Sequence, residues 1–145
     1  MPPTTTKKEI FLAVVHGTTG NDHITASYKN GPWYYSDTVY LSAGDDHIDT
    51  SLGDDYINAG SGNDEVDAGD GNDHIYDGAG SDPLKGDLGN DVTHGAAVDD
   101  IINGSMGDDV LYSNGGDDFF VHTGIDGWGR YDGGTDTITI NSSGD

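Results

Sequence analysis

Aspartate recurs along this chain every nine residues. It stands at Asp37, Asp46, Asp55, Asp64, Asp73, Asp82, Asp91, Asp100, Asp109 and Asp118, and returns at Asp136. Of the twelve positions spaced by nine between 37 and 136, eleven hold Asp and Gly127 is the break. Carboxylates take up protons or hard cations. A single Asp beside glycine reads as a solvated turn residue; eleven in register read as a repeated binding chemistry that the backbone must line up.

The residues around each Asp say how. Two positions after it sits an apolar residue: Val39, Ile48, Ile57, Val66, Ile75, Leu84, Ile102, Leu111, Phe120 and Ile138, with Thr93 and Gly129 as exceptions. Two positions before it is usually Gly: Gly44, Gly53, Gly62, Gly71, Gly80, Gly89, Gly107, Gly116 and Gly134, with Tyr35, Val98 and Ile125 as departures. An earlier copy, Gly17 to Ile24 around Asp22, is out of phase by a six-residue insertion that falls within residues 26–35. Nine residues are too few for a helical repeat. Gly with Asp-Asp or Asn-Asp marks a tight turn, and the three residues about the apolar position extend into a very short strand. Neighbouring strand side chains face opposite ways, so the apolar residue points in and its neighbours point out. One unit cannot bury a lone apolar side chain, whereas stacked units can.

Segments such as Ala59-Gly60-Ser61-Gly62-Asn63-Asp64-Glu65-Val66-Asp67 and Ala68-Gly69-Asp70-Gly71-Asn72-Asp73-His74-Ile75-Tyr76 resemble the GGxGxDxUx repeat of the RTX, or hemolysin-type calcium-binding, family. The resemblance covers roughly residues 17–140. It implies an all-β fold, a parallel β-roll or right-handed β-solenoid with two nonapeptides per coil. The expected organisation is an N-terminal cap strand in 1–16, the roll in 17–123 with an aromatic insertion at about 26–35, and a C-terminal capping segment with a last repeat in 124–145. Turns eighteen residues apart would then stack. Asp46, Asp64, Asp82, Asp100, Asp118 and Asp136 would line one edge, and Asp37, Asp55, Asp73, Asp91 and Asp109 the other.

Carboxylates on coils about 4.8 Å apart repel by roughly 3 kcal/mol at an effective dielectric of 20. A counter-cation is required. Carboxylates with turn carbonyls suit Ca²⁺, which accepts about six to eight oxygens, better than Mg²⁺ with its tight octahedron. Transition metals prefer imidazole or thiolate. The resemblance implies ions between same-edge turns, held by Asp46, Asp55, Asp64, Asp73, Asp82, Asp91, Asp109 and Asp118, with Asp100, Asp37, Asp22 and Asp136 as weaker members. Carbonyls near Gly44, Gly53, Gly60, Gly62, Gly69, Gly71, Gly78, Gly80, Gly89, Gly107 and Gly116 would complete the sites. About six to eight ions are expected to be held, as the only cofactor. The residues just before the ladder, such as Asp45, Asp54, Asn63 and Asn72, are expected to stabilise their own turns.

Composition agrees with a metal-dependent fold. The 145 residues carry 27 acidic and five basic side chains, a formal charge of −22. Ile, Leu, Val and Phe number only 27, a proportion usual in disordered chains. Such a surface repels nucleic acid and anionic membranes. No apolar run is long enough to span a bilayer. With no Cys there is neither disulfide nor thiolate zinc, and six scattered His share no zinc spacing. His47, Asp49, Glu65 and Asp67 lie on a flat strand face without the cleft that acid–base catalysis needs, and no nucleophile or phosphate-loop motif is present. An enzyme is not expected.

The outer faces leave room for a partner. The positions three after the Asp on one sheet, Tyr40, Asn58, Tyr76, His94 and Tyr112, with Tyr56 and His74 beside them, are either a ligand surface or ordinary cross-strand stacking. Trp33, Tyr34, Trp128, Arg130 and Tyr131 lie in irregular segments and offer contacts to a neutral carbohydrate or a protein, or form caps. Pro83 in a strand position and Thr93 in a core position mark a weak middle around 81–98. The leading reading is a calcium-folded roll, part or whole of a protein secreted from bacteria by a type I system and hence extracellular. The alternative is an accessory carbohydrate- or protein-binding module, as in an adhesin or a polysaccharide-modifying enzyme. An ice-binding roll lacks the regular Thr column it would need.

Overall fold

A computed structural model describes residues 14–25 and 36–121, and the backbone of 137–139. Thirteen short strands are present among them: β1 (Val14–His16), β2 (His23–Thr25), β3 (Thr38–Tyr40), β4 (His47–Asp49), β5 (Tyr56–Ser61), β6 (Glu65–Asp70), β7 (His74–Ala79), β8 (Pro83–Leu88), β9 (Val92–His94), β10 (Ile101–Met106), β11 (Val110–Tyr112), β12 (Phe119–Phe120) and β13 (Thr137–Thr139). Odd strands form one seven-stranded sheet in the order β1-β3-β5-β7-β9-β11-β13, and even strands form a six-stranded sheet in the order β12-β10-β8-β6-β4-β2. Every pairing is parallel. The chain passes from one sheet to the other at each turn, so the architecture is an all-β solenoid with two nonapeptides per coil.

The registers report this directly. Ile57 lies opposite Ile75 and Val66 opposite Leu84, each eighteen residues on. Across the insertion the offset grows to 24, with Val14 opposite Thr38 and His23 opposite His47. The offset exceeds one coil by six residues. Residues 1–13 and 26–35, where most of the expected N-terminal cap and the expected aromatic insertion fall, lie outside the described residues.

One expectation is corrected at the C-terminal end. Asp136 was assigned to the edge of Asp118, which requires the strand after it to run beside β12. Instead Thr137 lies opposite Val110 and Ile138 opposite Leu111, an offset of 27. The offset exceeds one coil by nine residues, and β13 joins the sheet of β11. Asp136 itself, like Trp128, Arg130 and Tyr131, lies outside the described residues.

The core is a thin column between the sheets. Val39, Ile48, Ile57, Val66, Ile75, Leu84, Ile102 and Leu111, each two after a ladder Asp, are 0–3% exposed. The sequence analysis missed a second inward column. β5 to β8 and β10 run for six residues, not three, so side-chain alternation brings the position four after the Asp inward as well. That column holds Leu41, Thr50, Ala59, Ala68, Asp77 and Ser113, all buried. Through 81–98 the strand pairing continues, although Pro83 has no N–H to give the ladder and the Thr93 hydroxyl is buried without a hydrogen-bond partner. Two small apolar rungs per eighteen residues are a small core for so much ordered backbone, and the turns must supply the rest.

Candidate metal centre

Each ladder Asp stands one residue before a strand, at the inner corner of a turn. Its position follows from the local sequence: a glycine two before it takes backbone angles closed to side chains, and the strand begins one after it. Gly44, Gly53, Gly62, Gly80, Gly89, Gly107 and Gly116 have φ between 113 and 151°. Steric contact gives these glycines a second reason. A Cβ built on Gly80 would lie 1.6 Å from the Gly62 carbonyl oxygen, and one on Gly62 would lie 1.8 Å from that of Gly44. The turns stack glycine on carbonyl, with no room between.

One carboxylate oxygen of each ladder residue from Asp46 to Asp118 is already in use. The N–H of a ladder Asp donates to Oδ1 of the Asp one coil later: Asp37 to Asp55 at 2.6 Å, Asp46 to Asp64 at 2.8 Å, Asp55 to Asp73 at 2.7 Å, and Asp64 to Asp82 at 2.6 Å. Asp73 to Asp91, Asp82 to Asp100, Asp91 to Asp109 and Asp100 to Asp118 continue the chain at 2.9–3.0 Å. Asp22 joins it through Asp46 at 2.6 Å, across the longer offset. Both expected edges are thus present among the described residues, ending in the half-buried Asp22, Asp37 and Asp118.

In seven ladder residues the other oxygen is not in use. Oδ2 of Asp46, Asp55, Asp64, Asp73, Asp82, Asp91 and Asp100 is buried without a hydrogen-bond partner. These residues are 0–3% exposed. A buried anionic oxygen left unpaired is costly, and seven of them, four along one edge and three along the other, are far outside the ordinary count for a folded chain. The protein keeps the space around them clear. A Cβ on Gly86 would lie 2.2 Å from Oδ2 of Asp91, and one on Gly95 would lie 2.8 Å from Oδ2 of Asp100.

Burial therefore pushes the ladder carboxyls up. Asp55 and Asp64 rise to about 6, Asp91 to about 7 and Asp73 to about 8. Asp46, Asp82 and Asp100 rise for the same first reason. The accepted backbone N–H opposes the rise, and adjacent carboxylates add to it. A cation at the orphaned oxygens would reverse both the desolvation and the repulsion. The available donors are carboxylate and carbonyl oxygens only, the set that a hard cation such as Ca²⁺ takes. The residues present fit it.

The residues before the ladder do something other than stabilise their own turns. The N–H of Asn63 donates to Oδ1 of Asp45 at 2.9 Å, that of Asn72 to Asp54 at 2.8 Å, and that of Ser81 to Asn63 at 3.0 Å. Asn90, Asp108 and Asp117 repeat the pattern eighteen residues from their acceptors. These outer side chains tie each turn to the next coil, a role that the period carries but a reading of single turns does not.

The outer faces are less open than their composition suggests. His16, Tyr40, Tyr56, Tyr76, His94 and Tyr112 form a continuous row with ring centroids 4.5–5.7 Å apart. Tyr76, His94 and Tyr112 are parallel to within 4°. Those three rings turn their faces to each other, while Tyr40–Tyr56 and Tyr56–Tyr76 are tilted by 51 and 40°, so the row is held by cross-strand ring contacts along its length. On the other sheet Lys85 bridges Asp67 and Asp87 at 3.2 and 2.9 Å, and His47 meets Glu65 at 3.0 Å. These exposed pairs contribute little. Trp33 and Tyr34 lie outside the described residues, as do the Trp128 contacts. Among the described residues no helix is long and apolar enough to cross a membrane.

The sequence analysis missed one site residue altogether. Asp77 is 1% exposed and lies four after Asp73, in the second inward column. One oxygen from each of Asp77, Asp82 and Asp100 falls within 4.8 Å of the others. The signal was the strand's alternation carried two residues further.

Comparison with known proteins agrees with this geometry. The family model for the RTX calcium-binding nonapeptide repeat, in four copies, matches residues 14–28, 34–66, 59–93, 67–101 and 86–120. No curated protein and no solved structure matches the chain. The matched segments cover most of the chain and contain every orphaned ladder carboxylate, and the chain therefore belongs to the RTX calcium-binding nonapeptide repeat family.

Proposed function

We propose that this chain is a calcium-dependent folding module that is disordered without the ion and becomes a β-roll on binding about six to eight Ca²⁺ between stacked turns. The observation that carries the reading is the pair of carboxylate columns, four on one edge and three on the other, each member buried with one unpartnered oxygen. Uncompensated, such a column disfavours the fold. With a cation it becomes the element that holds adjacent coils together. The ladder members from Asp37 to Asp118 are the proposed ligands, with carbonyls of the turn glycines.

The role is one of binding and not of catalysis. The site of action we propose is outside a bacterial cell, after export as part or whole of a type I secreted protein. Unfolded passage and folding after arrival follow from one property: affinities of about 0.1–1 mM respond to external calcium and not to cytosolic calcium. Titration calorimetry of the metal-free chain at neutral pH tests the stoichiometry and selectivity. About six to eight Ca²⁺ are expected to bind per chain, with Mg²⁺ giving far less heat and no saturation in the same range. Binding of one Ca²⁺ or none, or an equal response to Mg²⁺, would contradict the reading.

A further inference from the structure

Of the buried acids among the described residues, Asp77 alone lies outside the nonapeptide ladder. Its column on this edge is otherwise Leu41, Ala59, Gly95 and Ser113, none of them charged. Strand β7 carries Asp77 inward just before the turn of Asp82, and Ala96 of the following coil donates its N–H to Oδ2 of Asp77 at 3.0 Å. Gly78 donates to Oδ1. Both oxygens are thus held by backbone, and the side chain is fixed against Asp82 and Asp100.

Those two partners are the second observation. Oδ2 of Asp82 and of Asp100 are buried and unpartnered, on side chains 1 and 2% exposed. The space beside Asp100 is kept open by Gly95, where a Cβ would fall 2.8 Å from Asp100 Oδ2 and 3.2 Å from Cδ1 of Ile102. One oxygen from each of three buried carboxylates therefore lies within 4.8 Å of the other two, two of those carboxylates having an unpartnered oxygen.

We propose that Asp77 supplies a third carboxylate to the cation held between the Asp82 and Asp100 turns, making this the tightest calcium site of the roll and the one that most prefers a trivalent lanthanide. The inference rests on the calcium reading above. Elsewhere a gap is flanked by two ladder carboxylates, each shared with the next gap along the edge; here Asp77 adds a third carboxylate that no other gap shares, and the extra negative charge favours a trivalent ion. Affinity at oxygen sites is set largely by the number of charged ligands and by rigidity, and this site exceeds its neighbours in the first. Burial and the neighbouring Asp100 both push the Asp77 carboxyl up, as expected of an anion packed among anions without its cation.

The test compares the full-length chain with Asp77→Ala, the residue that Ala59 already places in this column, and with Asp77→Asn, which keeps the shape. Terbium luminescence and calcium calorimetry are read stepwise, with circular dichroism at saturating calcium as the folding control. In the parent chain one site is expected to fill at least about tenfold more tightly than the average of the rest, more so with Tb³⁺. Both variants are expected to lose that first step while keeping the later ones and the β signal. If Asp77→Ala fails to fold at saturating calcium, Asp77→Asn carries the comparison. An unchanged first step in the folded variants would overturn the role of Asp77, and so would a parent chain whose sites fill with equal affinity. A parent chain that binds no calcium would instead defeat the underlying calcium reading.

Discussion

Gly80→Ala is expected to prevent the roll from forming even in excess calcium, whereas Gly20→Ala leaves it intact. Position 80 has φ of +151°, a region nearly closed to any residue with a side chain. An added Cβ there would lie 1.6 Å from the Gly62 carbonyl oxygen and 2.5 Å from its carbon. Neither neighbour is a flexible side-chain end, so the coils themselves must separate. Separation breaks the bond from the Gly62 N–H to Ala79 O at 2.8 Å and draws Asp82 from the Asp64 N–H, which it accepts at 2.6 Å. The combined cost is roughly 4 kcal/mol or more, among the severest for one substitution, against a total stability of about 5–15 kcal/mol. At Gly20 a Cβ meets nothing within 4 Å. Calcium-dependent circular dichroism and thermal melts of the two variants check this, and equal melting of both would contradict the stacking account.

Without calcium, acidification is expected to favour the compact roll. The buried carboxyls have folded-state pKa values above their ordinary 3.8: about 6 for Asp55 and Asp64, about 7 for Asp91 and about 8 for Asp73. Over that interval the folded chain binds more protons than the unfolded one, so stability falls as pH rises. The contribution is complete below about pH 4 and is lost between there and about pH 8. Protons in this range stand in for the missing cation, and relief of the −22 charge acts in the same direction. In EDTA at low protein concentration, the β signal at about pH 5 is expected to exceed that at about pH 8. In saturating calcium the order is expected to reverse, because protons then compete with the ion for the same oxygens. More β structure at high pH in EDTA would contradict the burial of these groups.

The nonapeptide spacing made the first core column legible. A residue two after each Asp alternates inward in any strand that starts at the turn, and Val39 through Leu111 do so. It also made the two edges legible, because an eighteen-residue coil returns each Asp above its predecessor. The second column is not legible from a strand of three residues centred on the apolar position. In β5, β6 and β7 the backbone passes through Gly60, Gly69 and Gly78 at φ of 101–105° and keeps its pairing, which turns Ala59, Ala68 and Asp77 inward. Asp77 lies beyond that three-residue strand. The edge of β13 escaped for another reason. Spacing alone does not fix which sheet a strand joins once the offset departs from eighteen, as it does between β11 and β13. The second oxygen of each ladder Asp, and the backbone bond made by the first, required the stacked geometry itself.

Far-ultraviolet circular dichroism of the whole chain at neutral pH, during calcium titration and then chelation by EDTA, tests the central claim most directly. The account predicts a disordered spectrum without calcium, a cooperative rise of β signal to saturation at about 0.1–1 mM Ca²⁺, and full reversal by chelator. A chain already folded in EDTA at neutral pH, or a calcium-saturated chain without β signal, would contradict it.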